Sequence, residues 1–262
     1  MTFFLLSMVL VGATVTVVRP AMYAGKRPIP LIGVSGSHVI ILGTLLAAIG
    51  LTFDPVTGAS VLIALTIHEL GVVFGHRLAG HADVRFRLIP MPRTGPVSQD
   101  PHKTDLEHFF VTLMGPALGL APMVLAFALS DLVAGGALQQ LFGTLALTLG
   151  AFNFIALLPI WPLSGGSLMQ LLMRPGFPRV SALPAASLFA GLVGMSWATD
   201  TPGLFLMSII GALAYAVRPP LPKERPPIPG RALLIAIPAY LTTLAAYFLG
   251  GWWVILVITG QF

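Results

Sequence analysis

The densest chemistry in the chain lies in residues 66–81, TIHELGVVFGHRLAGH. His68 and Glu69 open the pattern His-Glu-x-x-His, in which two imidazoles four residues apart grip one zinc ion and the glutamate serves as general base. The second histidine's position holds Val72, which has no lone pair to give. His76 lies about 12 Å along a continuous helix from His68 and some 80° around it, so these two cannot close on one ion. His81, His102 and His108 follow, and with His76 they offer an alternative, separate cluster of metal donors. Histidines scattered near a basic surface are the plainer reading of those four.

Two further stretches carry features that a plain apolar helix does not need. EHFFVTLMGPALGLAP, residues 107–122, has Gly115, Ala117 and Gly119, small residues that let another helix approach closely. NFIALLPIWPLSGG, residues 153–166, places the amide of Asn153 in an apolar run, then breaks it with Pro159 and Pro162. Gly165 and Gly166 permit a sharp turn after the break. Irregular backbone at membrane depth is tolerated where it is buried in protein or lines a cavity, so the break marks a candidate site.

The elements that must position these residues follow from composition. Of 262 residues 56% are hydrophobic and only 9% charged, with mean hydropathy +0.92. Soluble domains carry about 25% charged residues, and a chain this apolar could not cover itself with polar surface. It is expected to be an all-α, polytopic integral membrane protein. Cysteine is absent, which excludes disulfides, thiolate zinc ligands and thiol catalysis. The pI near 10.1 comes without a basic cluster, so it reflects membrane topology and not a nucleic-acid partner.

Hydropathy divides the chain into about eight apolar segments, near 2–18, 34–52, 59–77, 108–130, 137–161, 179–198, 202–217 and 231–258. The last is long for one span; Gly250 and Gly251 would bend it or split it into two short passes. All 14 Lys and Arg residues fall in or beside the loops 19–30, 78–107, 162–178 and 218–230, whereas the alternate loops hold Asp54, Asp131 and Asp200. Basic loops stay cytoplasmic, which predicts extracytoplasmic termini and an even number of passes. The first segment has its positive charges after the apolar run, the reverse of a cleaved secretory signal, and reads as a retained helix. His68 and Glu69 then sit roughly 13 Å deep, where ionisable groups are costly and by default functional. The bland alternative is a protonated Glu69 and a neutral His68 bonded to neighbouring helices.

In order and spacing, His-Glu, the Gly-Pro helix and Asn-x5-Pro-x2-Pro-Leu-x-Gly-Gly resemble the site-2 protease family of intramembrane zinc metalloproteases. The resemblance covers roughly residues 60–175 of a single membrane domain, 1–262. It implies a zinc ligand at His68, a general base at Glu69, further ligands at the positions of Val72 and Ser164, and an amide near the site at Asn153. Pro159, Pro162, Gly165 and Gly166 would line that site. With Val72 and Ser164 in place, two of the three ligands are missing and a single imidazole should hold zinc too weakly. Without the ion, nothing lowers the pKa of the attacking water, and an apolar Glu69 tends to protonate.

The resulting expectation is a pseudoprotease in a bacterial or archaeal cell membrane, with no zinc bound, that binds or regulates a membrane protein or transmembrane segment. The alternative is an active zinc endopeptidase with unusual ligands. A transporter would use His68, Glu69 and Asn153 as a polar path, but it should show two broken helices in matching halves and only one break is evident. Within 82–107, Val84, Phe86 and Leu88 alternate with Arg85 and Arg87, as in a short β segment. A basic interfacial loop against anionic lipid is the competing reading there. RPPLPKERPPIPG, residues 218–230, reads as a semi-rigid Pro-rich linker.

Overall fold

The computed structural model describes residues 2–23, 29–32, 34–87, 95–133, 135–177, 182–217 and 222–252. Leu88, residues 218–221 of the linker, the tail 253–258 of the last apolar segment, and Lys26, Arg27, Arg93, Arg179 and Arg218 lie outside them. The described residues form α1 (Thr2–Tyr23), β1 (Leu31–Ile32), α2 (Gly36–Thr52), α3 (Pro55–Leu78) and β2 (Phe86–Arg87). They continue as α4 (Asp105–Leu132), α5 (Gly136–Leu157), α6 (Ser164–Met173), α7 (Leu183–Thr199), α8 (Pro202–Ala216) and α9 (Gly230–Gly251).

Each expected apolar segment is a helix, and five of them (α1, α3, α4, α5 and α9) are long and apolar enough to cross a bilayer by length and composition. The helices α2, α7 and α8 have 17, 17 and 15 residues. At 1.5 Å per residue the longest of these reaches about 26 Å, short of a hydrocarbon core of about 30 Å. Large apolar side chains such as Trp197, Leu249 and Ile235 face outward, as a lipid-covered surface requires.

Local sequence explains where the site-bearing helices begin. Asp54 caps α3: its Oδ1 accepts from the Thr57 backbone N–H at 2.9 Å, its Oδ2 accepts the Thr57 hydroxyl at 2.6 Å, and Pro55 occupies the first turn where no donor is needed. Hydropathy starts the next segment at 108, but α4 begins three residues earlier. Thr104 accepts from the Glu107 N–H at 3.1 Å, and Glu107 reaches back to the Lys103 N–H at 3.3 Å, a polar start that hydropathy does not register. Glu107 and His108 are therefore helical.

The centre of the molecule is α3, α4 and α5, packed pairwise, with α1 on α4, α2 on α3 and α9 on α5. Its apolar core joins Ala64, Phe109, Met123, Leu149, Phe154, Leu157 and Leu168 to Tyr240 and Tyr247 of α9. Lipid tails are as apolar as these side chains, so helices in a bilayer associate through close packing and hydrogen bonds. A Cβ on Gly71 of α3 would strike the carbonyl oxygens of Met114 and Gly115, and one on Gly150 of α5 would strike the backbone of Gly250. Tyr247 donates to the Pro116 carbonyl at 2.5 Å, and Tyr240 to the Leu157 carbonyl at 2.8 Å. The hairpin of α7 and α8 packs chiefly on itself, with the Ser208 hydroxyl donating to the Phe189 carbonyl at 3.0 Å.

β1 and β2 pair in parallel, Leu31 with Phe86 and Ile32 with Arg87. Of the expected alternation, Phe86 and Arg87 form a short strand. Val84 and Phe86 pack on Val73 and Val97, which leaves Arg87 to point the other way.

At one end of the bundle, Arg77 donates to the Ala21 carbonyl at 3.2 Å, and Asp105 holds Arg174 and Arg225. The carboxylates of Asp54, at the start of α3, and Asp131, near the end of α4, belong to the opposite ends of those helices. The charges therefore segregate along the bundle as they do along the sequence.

Candidate functional site

The break after α5 is made by Leu158, Pro159, Ile160, Trp161, Pro162 and Leu163, after which the chain turns into α6. Gly165 and Gly166 lie inside the first turn of α6 and do not form the expected sharp turn. Their role is close approach: a Cβ on Gly165 would strike the carbonyls of Leu157 and Leu158, and one on Gly166 the backbone of Ile160 and Trp161. Only glycine lets α6 start flush against the end of α5.

His68, Glu69 and Val72 of α3, Phe152 of α5, and Pro162, Leu163 and Ser164 of the break line one cavity of ≈ 700 Å³. His68, Glu69, Val72, Pro162 and Ser164 are therefore neighbours in space, whereas Asn153, Pro159, Gly165 and Gly166, expected to line the site, are not in the cavity's lining. His76, Arg87, His102 and Thr112 line the same cavity. Pro162 and Leu163 also line a second, apolar cavity of ≈ 420 Å³ against Leu188, Met207 and Ala214 of α7 and α8. The broken segment is the partition between the two.

His68 Nδ1 lies 3.1 Å from Asn153 Oδ1, and Asn153 donates its amide to the Leu149 carbonyl at 3.1 Å. That second bond fixes the amide, so its oxygen accepts and His68 carries its proton on Nδ1. Gly115 makes room for the ring, since a Cβ there would come within 2.9 Å of His68 Nε2. Gly119 does the same for the Asn153 amide, where a Cβ would come within 2.9 Å of Nδ2. The small residues of α4 thus serve the site as well as the packing.

Glu69 is only 3% exposed, and both its oxygens are taken by one residue. Arg87 donates Nε to Oε2 at 3.0 Å and Nη2 to Oε1 at 3.2 Å, a fork-on-carboxylate pair. The sequence reading did not pair Arg87 with Glu69. The signal was present, because a glutamate at membrane depth needs a counter-charge and Arg87 is on the polar face of the only alternating run nearby.

A zinc ion held as the family resemblance implies needs three protein donors. His68 offers one nitrogen, Val72 none, and Ser164 a neutral hydroxyl. The guanidinium of Arg87 covers Glu69 and repels a second cation. These residues do not fit zinc.

A second polar group sits at the end of α3. His76, His81 and His102 each bring a donor atom within 4.8 Å of the others. Of the four histidines that the sequence offers as donors, His108 stands apart from this group and stacks behind His102 with ring centroids 4.6 Å apart. His81 Nε2 lies 2.8 Å from Glu107 Oε1, and its Nδ1 lies 2.8 Å from Ser98 Oγ. Ser98 in turn donates to Asp83 at 2.5 Å.

Burial works against the charge of Asp83, but the bonds from Ser98 and the backbone N–H of Gln99 outweigh it and hold the carboxyl below its usual range. Burial pushes the His102 imidazole below its ordinary value, with Glu107 pulling the other way. Comparison with protein-family models, curated proteins and solved structures finds no match to this chain.

Proposed function

We propose that the chain is an integral membrane protein with a site-2-protease-like core that has lost conventional zinc catalysis, and that it acts by binding a segment of another membrane protein at the cavity beside His68. The observation that carries this reading is the Glu69–Arg87 pair: the residue in the general-base position is locked by a guanidinium, beside ligand positions held by Val72 and Ser164. Both carboxylate oxygens already accept from the guanidinium, so neither is held free for a reacting water.

The cavity suits an extended guest. Pro116 has no N–H to give the carbonyl of Thr112, so one cavity-lining residue has a backbone acceptor without its helical donor. An extended segment brings unpaired N–H groups, which a helix does not. In this reading eight helices cross the bilayer, the basic ends face the cytoplasm and both termini lie outside.

The second reading, a working metalloendopeptidase, is favoured by the position of His76 and His102 on the same cavity as Glu69. Proteoliposomes carrying a fluorogenic transmembrane peptide separate the two. We expect cleavage at background in both wild type and Glu69→Gln. Chelator-sensitive cleavage by wild type that disappears in Glu69→Gln would overturn the proposal. Restoring the ligand set with Val72→His and Ser164→Asp, together with Arg87→Met to free Glu69, is expected to bring zinc to His68.

A further inference from the structure

We infer that His76, His81, His102 and Glu107 form a binding site for a zinc-like divalent transition metal, separate from His68 and independent of the protease resemblance. Imidazole and carboxylate donors of this kind suit zinc, which takes them in tetrahedral geometry. With zinc–nitrogen bonds of about 2.0–2.1 Å, neighbouring donors lie roughly 3.3 Å apart. The distances already present bracket that edge. Glu107 Oε1 is 2.8 Å from His81 Nε2 and 3.5 Å from His102 Nδ1. The three imidazoles need their widest separation, 4.8 Å, to close by about 1.5 Å, within the reach of side-chain rotation.

Two independent observations point to a missing partner. Buried polar atoms in proteins are almost always hydrogen-bonded. Here the Nδ1 atoms of His76 and His102 are buried without a hydrogen-bond partner, and His76 as a whole is only 6% exposed. The 3.5 Å approach of His102 Nδ1 to Glu107 Oε1 lacks hydrogen-bond geometry. His81 supplies the second observation. Ser98 spends its one proton on Asp83, so His81 must donate Nδ1–H to Ser98. Its Nε2 then points at a carboxylate oxygen, a contact that needs a cation or proton between the two.

The relay Asp83–Ser98–His81 is the arrangement that orients a metal-binding imidazole through its other nitrogen. Three histidines and a carboxylate fill the tetrahedron, so no position is left for a reacting water. The ion is a structural clamp that ties the end of α3 to residue 102 and to the first turn of α4.

The test uses the full chain in mild detergent, stripped with chelator and titrated with zinc, with metal read by elemental analysis and folding by size-exclusion and thermal unfolding. We expect one zinc per wild-type chain, retained in His68→Ala and lost in His81→Ala and His102→Ala. Ser98→Ala should weaken binding about 10–100-fold, as loss of an orienting partner does. Cobalt(II) on the wild-type chain should give the intense visible spectrum of tetrahedral coordination, a readout that survives if the alanine variants fail to fold. Absence of zinc from wild type, or a weak octahedral cobalt spectrum, overturns the site. Zinc lost in His68→Ala and kept in His102→Ala overturns it too, and would also sink the proposed loss of conventional catalysis. Zinc lost only in the cluster variants leaves that functional reading to stand or fall on its own assay.

Discussion

A single guanidinium decides the chemistry open to Glu69. Removing one partner of a buried pair strands the other charge, at a cost of about 3–5 kcal/mol. Arg87→Met should therefore destabilise the protein by that order, measured as loss of thermal or denaturant resistance in detergent. Adding Glu69→Gln should recover part of the loss, with a coupling of about 1–3 kcal/mol in the double-mutant cycle. Additive losses would mean that the pair is not a unit. His68, Glu69 and Val72 were legible in sequence because ligand positions on one helix have fixed spacing, whereas Asn153 and Ser164 rested on the family resemblance. Arg87 was not read as their partner, since the contact spans 18 positions and depends on a strand whose pairing partner, β1, is only two residues long. For the same reason the sequence offers four histidines as donors without separating His108 from the other three.

Among the elements, glycine separates two kinds of contact. Gly71 of α3 faces backbone, since an added Cβ would come within 2.7 Å of the Gly115 carbonyl oxygen, whereas Gly43 of α2 has nothing within 4 Å. Gly71→Ala should force α3 and α4 apart and cost about 1–3 kcal/mol or more. Gly43→Ala should be neutral or stabilising by up to about 1 kcal/mol, because alanine is the better helix former. Thermal unfolding of the two variants is expected to shift in opposite directions. The eight apolar helices could be read from hydropathy, which reports what must avoid water. Hydropathy says little about polar starts, hence the late start assigned to α4, or about the short α6, which lay in a stretch taken for a loop.

At the scale of the whole molecule, Asp105 ties distant segments together. Fully buried, it accepts from Arg174 at 2.8 Å and Arg225 at 2.5 Å, while its backbone N–H donates to the Pro226 carbonyl at 2.9 Å. The Pro-rich segment before α9 is thereby fastened to the start of α4, which its composition alone, read as a connector, did not disclose. Asp105→Ala should leave two arginines without their carboxylate, cost about 3–5 kcal/mol, and speed tryptic cutting after Lys223. Unchanged proteolysis would mean that the segment is held without Asp105, by its prolines and by the bonds from Arg174 to the Pro222 and Lys223 carbonyls.

The partition formed by Pro162 and Leu163 gives the molecule a sidedness. On one face of it lie the ionisable groups; on the other lies an apolar hollow roofed by the α7–α8 hairpin. The remaining walls are stiff, because α3 meets α4 and α5 meets α9 with backbone against backbone. A guest arriving sideways from the lipid would find its softest doorway at the hairpin and would have to move only a few residues of broken helix to reach Glu69.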